Sequence, residues 1–180
     1  MTRPKFDRRA CRNTALLILP AALALVLFRA SGMRINISPS HVNVGLWRAA
    51  PMRAGGELEI GDVIAYDKDE FYEAVPRARE DRMIFRAPRV IKKIAALPGA
   101  FIERRGGAIA IDGVLYREAR ISDESWVKVN YPLVVPDGTL WLMADTLDSY
   151  DSRYHGPFPA ALVKEKLTPV LVWRTAEELI

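Results

Sequence analysis

The run Ala108-Ile109-Ala110-Ile111, the pair Asp112-Gly113 and the run Val114-Leu115-Tyr116 follow one another without a gap. A two-residue Asp-Gly loop between β-prone runs favours positive φ at both central positions and closes an antiparallel hairpin. That feature commits the middle of the chain to antiparallel sheet. The reading extends outward. Val90-Ile91-Lys92-Lys93-Ile94-Ala95 is an apolar, β-branched run ended by Leu97-Pro98-Gly99, and Gly61-Asp62 turns into Val63-Ile64-Ala65-Tyr66. Pro169-Val170-Leu171-Val172-Trp173 is short and valine-rich, so a final strand is expected there. Trp126-Val127-Lys128-Val129 and Leu140-Trp141-Leu142-Met143 are expected to pair, with Pro136-Asp137-Gly138 turning into the second. Residues 67–89, heavily charged and carrying Pro76 and Pro88, read as an exposed excursion with one short helix and a poor core.

The N-terminus follows a different pattern. Arg3, Lys5, Arg8, Arg9 and Arg12 outnumber Asp7, and an uninterrupted apolar run of fourteen residues follows at 15–28. A basic flank before an apolar run places the N-terminus inside and the remainder outside. The run is short of the ~20 residues that span a bilayer. Thr14 and the stretch through Met33 extend it if Arg29 snorkels. We therefore expect a cytoplasmic basic segment at 1–13, a transmembrane anchor at 14–33 and an extracytoplasmic domain at 34–180. A cleaved signal peptide and a buried core helix are the competing readings; Phe28 and Arg29 fit poorly before a small-residue cleavage site.

The 180 residues suffice for one domain with a real core. The single Cys11 forms no intrachain disulfide, and two histidines with one cysteine leave no zinc framework. The net charge of +4 owes much to the N-terminus. No basic patch with interleaved aromatics follows it, so a specific nucleic-acid partner is not expected.

With His41 and His155 as the chain's histidines, lysine is the more natural general base for a serine nucleophile. A serine hydroxyl needs a partner to take its proton, and a lysine does so only when neutral, which demands burial. Strand alternation would put Val90, Lys92 and Ile94 on one face and Ile91, Lys93 and Ala95 on the other. Periodicity does not say which lysine is buried, and read alone both are solvated strand lysines while Ser40 is an ordinary serine. A serine-histidine-aspartate site using His155 with Asp145, Asp148 or Asp151 lacks a nucleophile-elbow signature.

Three blocks, in order after the N-terminal segment, resemble the signal peptidase I superfamily of serine-lysine peptidases, and more closely its TraF-type conjugative-transfer branch. Ser38-Pro39-Ser40 followed by Gly45-Leu46-Trp47 resembles the nucleophile motif. It implies Ser40 as nucleophile, with the Ser38 hydroxyl and the Ser40 backbone N–H at the oxyanion site. His41-Val42-Asn43-Val44 departs from the pattern, because the proline expected after the nucleophile is missing and the spacing to Gly45 is one residue longer. Ile91-Lys92-Lys93-Ile94-Ala95-Ala96-Leu97-Pro98-Gly99 resembles the lysine motif and implies Lys92 as general base; Ala100 stands where an aspartate is common. Asp148-Ser149-Tyr150-Asp151-Ser152-Arg153-Tyr154-His155-Gly156-Pro157 resembles the supporting block. It implies that Ser149 orients Lys92 and that Asp151 pairs with Arg153. Without the resemblance this block is a polar loop after a strand.

The resemblance implies a mainly β, partly open barrel-like peptidase domain on one N-terminal transmembrane helix, set in the bacterial inner membrane with the domain periplasmic. It implies no cofactor and no metal. The expected substrate is a membrane-associated pilin or other exported precursor, with membrane lipid as neighbour; the oligomeric state is left open. Hydrolysis is the expected outcome, and the conjugative branch adds cyclisation of a pilin by an amine within the substrate. A general preprotein signal peptidase, an inactive membrane-tethered assembly module and an unrelated β-rich binding module are the alternatives.

Overall fold

The computed structural model describes residues 8–36, 43–52, 56–80, 88–121, 127–144 and 149–174. Helix α1 (Arg8–Ala30) leads through a turn with Gly32 at φ 72° into β1 (Met33–Asn36). Strands β2 (Val44–Pro51) and β3 (Val63–Asp67) follow, then the short helices α2 (Lys68–Ala74) and α3 (Pro76–Glu80) and the strand β4 (Arg89–Ala96). Next come β5 (Phe101–Arg105), β6 (Ala108–Ile111), β7 (Val114–Arg120), β8 (Leu133–Val134) and β9 (Thr139–Met143). A short helix α4 (Ser152–His155), β10 (Phe158–Pro159) and the twelve-residue β11 (Val163–Arg174) complete the described chain.

Seven strands form one sheet in the order β1-β2-β11-β3-β4-β9-β10, and four form a second in the order β7-β6-β5-β8. Every pair is antiparallel. The β6–β7 hairpin has Ile111 opposite Val114, with Asp112 at φ 49° and Gly113 at φ 83°, the turn that the Asp-Gly pair demands. The Asp112 carboxylate also accepts from the Phe101 N–H at 2.8 Å and ties the turn to β5. β11 is longer than its valine-rich end foretells. Pro169 sits beside a register shift, in a stretch paired with β2 but beyond the pairing with β3, where a missing N–H is tolerated.

The mainly β, half-barrel expectation stands, but its transmembrane helix does not. Among the described residues no helix is long and apolar enough to cross a membrane. The fourteen-residue apolar run rises roughly 21 Å as a helix against a hydrocarbon core of about 30 Å. Pro20 lies within it, Arg29 stands at its end, and Met33 already belongs to β1. The expected anchor at 14–33 and the single-pass inner-membrane placement built on it are therefore corrected.

Two further expectations change. Residues 127–130 form no strand, and β9 pairs instead with β4, Ile94 opposite Leu142, and with β10, Phe158 opposite Leu140. Among its described residues the charged excursion carries two helices rather than one, and they contribute to the core. Asp67 caps α2 by accepting from the N–H groups of Asp69 and Glu70, and Pro76 ends it by excluding the preceding residue from helical geometry. Phe71, Val75 and Ala78 lie on the inner side, buried with Tyr66 and Phe158. A second cluster, around Trp141, Ile102 and Ile109, joins the two sheets.

Candidate active site

Strand β4 settles the alternation that the sequence leaves open. Val90, Lys92 and Ile94 are buried, whereas Ile91 and Lys93 are half-buried on the opposite face. Ile64 stands opposite Lys92 in β3, and Val90 and Ile94 flank it in the main apolar cluster. The Lys92 ammonium is wholly removed from water. Its Nζ donates to the Ser149 Oγ. Burial lowers its pKa to about 8, with Asp151 pulling the other way and Arg153 adding to the depression.

Ser149 is itself fixed by the chain around it. Its carbonyl accepts from Arg153 Nη2 at 3.1 Å, and Arg153 grips Asp151 with Nε and Nη2 at 2.8 Å each, both residues wholly buried. Asp151 also accepts from its own helix, through the Arg153 N–H, and from the Ala144 N–H at 3.0 Å. Burial would raise the Asp151 carboxyl, but the charge and hydrogen bonds of Arg153, with Lys92 and the Ala144 N–H, hold it below the usual carboxylate range. Arg153 Nη1 reaches the Arg120 carbonyl, so the ion pair bridges the second sheet as well.

The local cause is an interrupted ladder. Beyond Leu140, β9 has no strand neighbour on the β10 side among the described residues, because β10 is two residues long. The N–H of Leu142, and that of Ala144 just past the strand's end, are taken instead by Ser152 Oγ at 2.9 Å and by the Asp151 carboxylate. Side-chain oxygens thus replace the missing strand, as buried backbone donors require. Sequence reasoning assigned no role to Ser152, although it stands in the quoted block, and missed Tyr131, whose hydroxyl donates to the Arg153 carbonyl at 3.0 Å. A lone tyrosine some twenty residues away carries no local signal for that contact.

Ser38, Ser40 and His41 lie outside the described residues, as do Asp145 and Asp148. Beside that stretch, Asn36 Nδ2 and Trp47 Nε1 both donate to the Asn43 carbonyl at 3.2 Å. Gly45 of the first block has a packing role: a Cβ there would lie 2.3 Å from the Leu171 carbonyl oxygen. His155 is buried edge-on against Phe71, ring centroids 4.9 Å apart, and also meets Tyr150. Among the described residues neither ring nitrogen has a well-formed hydrogen-bond partner. Burial pushes its pKa down to about 4. Among the described residues an imidazole so placed has no hydrogen-bonded carboxylate of the kind that a serine-histidine-aspartate arrangement requires.

Residues 9–172 match the family described as signal peptidase, peptidase S26. A protein named conjugal transfer protein TraF from Agrobacterium fabrum is 32% identical over 154 residues, covering 79% of this chain and 83% of its own. One of the same name from Agrobacterium tumefaciens is 33% identical over 152 residues, covering 79% and 84%. A signal peptidase I crystal structure from Enterococcus faecalis superposes with a TM-score of 0.41 at 25% identity, covering 63% of this chain and 98% of that one. From a match running over nearly its whole length, the chain belongs to the signal peptidase S26 family of serine peptidases.

Proposed function

We propose that the protein is a serine endopeptidase that matures an exported precursor, a conjugative pilin before others, with Ser40 as nucleophile and Lys92 as general base. The observation that carries this reading is the buried Lys92, lowered to about 8 and hydrogen-bonded to a serine held by the Asp151–Arg153 pair. A lysine in that setting is partly neutral near neutral pH, which is the state a base needs. No structural purpose of an inactive assembly module calls for it. The relatives named for conjugal transfer favour a conjugative precursor over a general preprotein.

In the proposed reaction, the neutral Lys92 Nζ takes the Ser40 proton as Oγ bonds to the scissile carbonyl carbon. The Ser38 hydroxyl and the Ser40 backbone N–H receive the developing oxyanion. The protonated Lys92 then donates to the departing amine as the C–N bond breaks, leaving an acyl-enzyme on Ser40. Water, deprotonated by Lys92, releases a linear acid; an amine within the substrate attacking the same carbonyl would release a cyclic product lighter by one water. Ser149, by accepting from Nζ, holds the Lys92 amine in one orientation through these steps.

The test is the product mass from a candidate pilin precursor incubated with the intact chain, Ser40→Ala and Lys92→Ala. Both variants should lose cleavage by several orders of magnitude, since members of such a pair act as a unit. Cleavage that survives in either variant removes that residue from the reaction.

A further inference from the structure

Helix α4 is a single turn, and a helix that short cannot satisfy its own last carbonyls. Those of Arg153 and Tyr154 are met from one place. Tyr131 Oη donates to the Arg153 carbonyl at 3.0 Å, and the Lys128 N–H donates to the Tyr154 carbonyl at 2.9 Å. Both donors belong to residues 127–131, which lie outside every strand and helix. Backbone carbonyls buried at a helix end require such donors.

This stretch is a strap with anchors of its own. Val127 packs against the cluster around Phe71, whereas Val129 and Tyr131 pack against the cluster around Trp141, so alternate side chains pin it to both cores. The Tyr131 ring meets Trp141 edge-on, with centroids 6.2 Å apart. From α3, Arg77 Nη1 donates to the Lys128 carbonyl at 3.1 Å. The supporting block is therefore gripped on two sides, by β9 through the side chains of Ser152 and Asp151 and by the strap through its backbone carbonyls. From α4 the contacts lead to the amine. Arg153 Nη2 donates to the Ser149 carbonyl, and Ser149 Oγ accepts from Lys92 Nζ. Lys92, Ser149, Asp151 and Arg153 are all wholly buried, and a close-packed interior passes a displacement of one on to the next.

We propose that the strap 127–131 positions the general base, with Tyr131 as a positioning residue that acts on Lys92 through Arg153 and Ser149. The proposal rests on the reading of Lys92 as base, but its first readout, titration of the Lys92 amine, needs no activity. Releasing a carbonyl of α4 lets the block and Ser149 draw away and water approach the ammonium. Hydration favours the charged form, so the amine then titrates closer to its ordinary, higher range. The charged and titratable groups around the amine are Asp151, Arg153 and His155, and all three are retained when the strap is altered.

The test follows the Lys92 side-chain NMR resonance against pH in the full-length protein, assigned by its loss in Lys92→Ala. Tyr131→Phe removes the hydroxyl donor alone, and Lys128→Pro removes the N–H donor by a separate route. Each should raise the Lys92 titration from about 8 by roughly half a unit or more. Tyr116→Phe, the same deletion on an exposed tyrosine of β7, should leave it within about 0.2 unit. With a pilin precursor, kcat at pH 7 should fall at least about threefold in the first two variants, in step with the neutral fraction, while KM changes by less than about twofold. A titration unmoved in both strap variants, or moved as far in Tyr116→Phe, would overturn the proposal. So would a fall in kcat without a titration shift, or a loss confined to KM, since either would make the strap merely structural. Cleavage that survives Lys92→Ala sinks the base reading and the proposal with it, whereas an unmoved titration sinks the strap alone.

Discussion

Replacing Asp151 by Asn tests the supporting network directly, because it removes one charge while nearly preserving shape. In the native chain the carboxylate accepts from Arg153 Nε and Nη2 at 2.8 Å, from the Arg153 N–H and from the Ala144 N–H, all without access to water. The amide has one acceptor oxygen, so at least one donor is orphaned and the Arg153 charge stays buried without its counter-ion. Breaking one side of a buried pair costs about 3–5 kcal/mol. For a domain of this size that corresponds to a drop of about 10 °C in Tm. The sign with pH is fixed too. The folded carboxyl titrates below its ordinary value of 3.8, so its stabilisation is full above that value and fades as pH falls further. Asp151→Asn should therefore lose most at pH 7 and approach the parent in strong acid. Since Asp151 also raises the Lys92 pKa, its removal should move the acidic limb of the pH–rate profile to lower pH. Urea unfolding at pH 7 and pH 3 measures the first effect and a pH–rate profile the second. The double variant Asp151→Asn with Arg153→Met should recover at least about 2 kcal/mol, as removal of both charges does for buried pairs. A loss under about 1 kcal/mol at pH 7, or a limb that does not move, would refute the network reading.

Three other outcomes follow from the same structure. In the intact chain kcat/KM should rise with pH through about 8, because Lys92 must shed its proton to act; near pH 7 about one molecule in ten holds it neutral, and a profile flat from pH 6 to 9 would exclude Lys92 as base. His155 has its folded pKa at about 4 against an ordinary 6.5, so folding stability is full above 6.5 and falls by about 3 kcal/mol as pH drops to 4. His155→Phe should abolish that slope in urea unfolding, and a slope retained in the variant would trace it to another group. Gly45→Ala should cost more than about 2 kcal/mol by thermal melting, because its Cβ would lie 2.3 Å from the Leu171 carbonyl and force β2 from β11; a change within 0.5 kcal/mol would contradict the close packing.

What could be read from the sequence alone was what a few neighbouring residues decide. Asp112-Gly113 sets its own hairpin, because the two positive φ values are a local steric matter. Pro76 ends α2 for the same kind of reason, although the partial burial of that excursion through Phe71 was not foreseen. The lysine and Asp-Ser-Tyr-Asp-Ser-Arg blocks marked the family by resemblance, and the match over residues 9–172 shows it. The apolar run of α1 was visible and was read as a transmembrane anchor, but no described helix is long and apolar enough to make a crossing.

The rest depended on groups far apart in the chain. Alternation along β4 divides its lysines between two faces, but only the packing of β3, β9 and the aromatic cluster determines that the Lys92 face is the dry one. The pairing expected for 126–129 is not made by its described residues, 127–129, because β9 already has β4 on one side, while on the other its amides are met by the side chains of Ser152 and Asp151. Tyr131 and the Arg120 carbonyl join the site through Arg153 with no trace in local pattern. Propensity and turn geometry are settled within a few residues, so the sequence carries them openly. Burial of a charge, and with it a lowered pKa, is a property of everything that surrounds the group, and it exists only once the sheet has closed around Lys92.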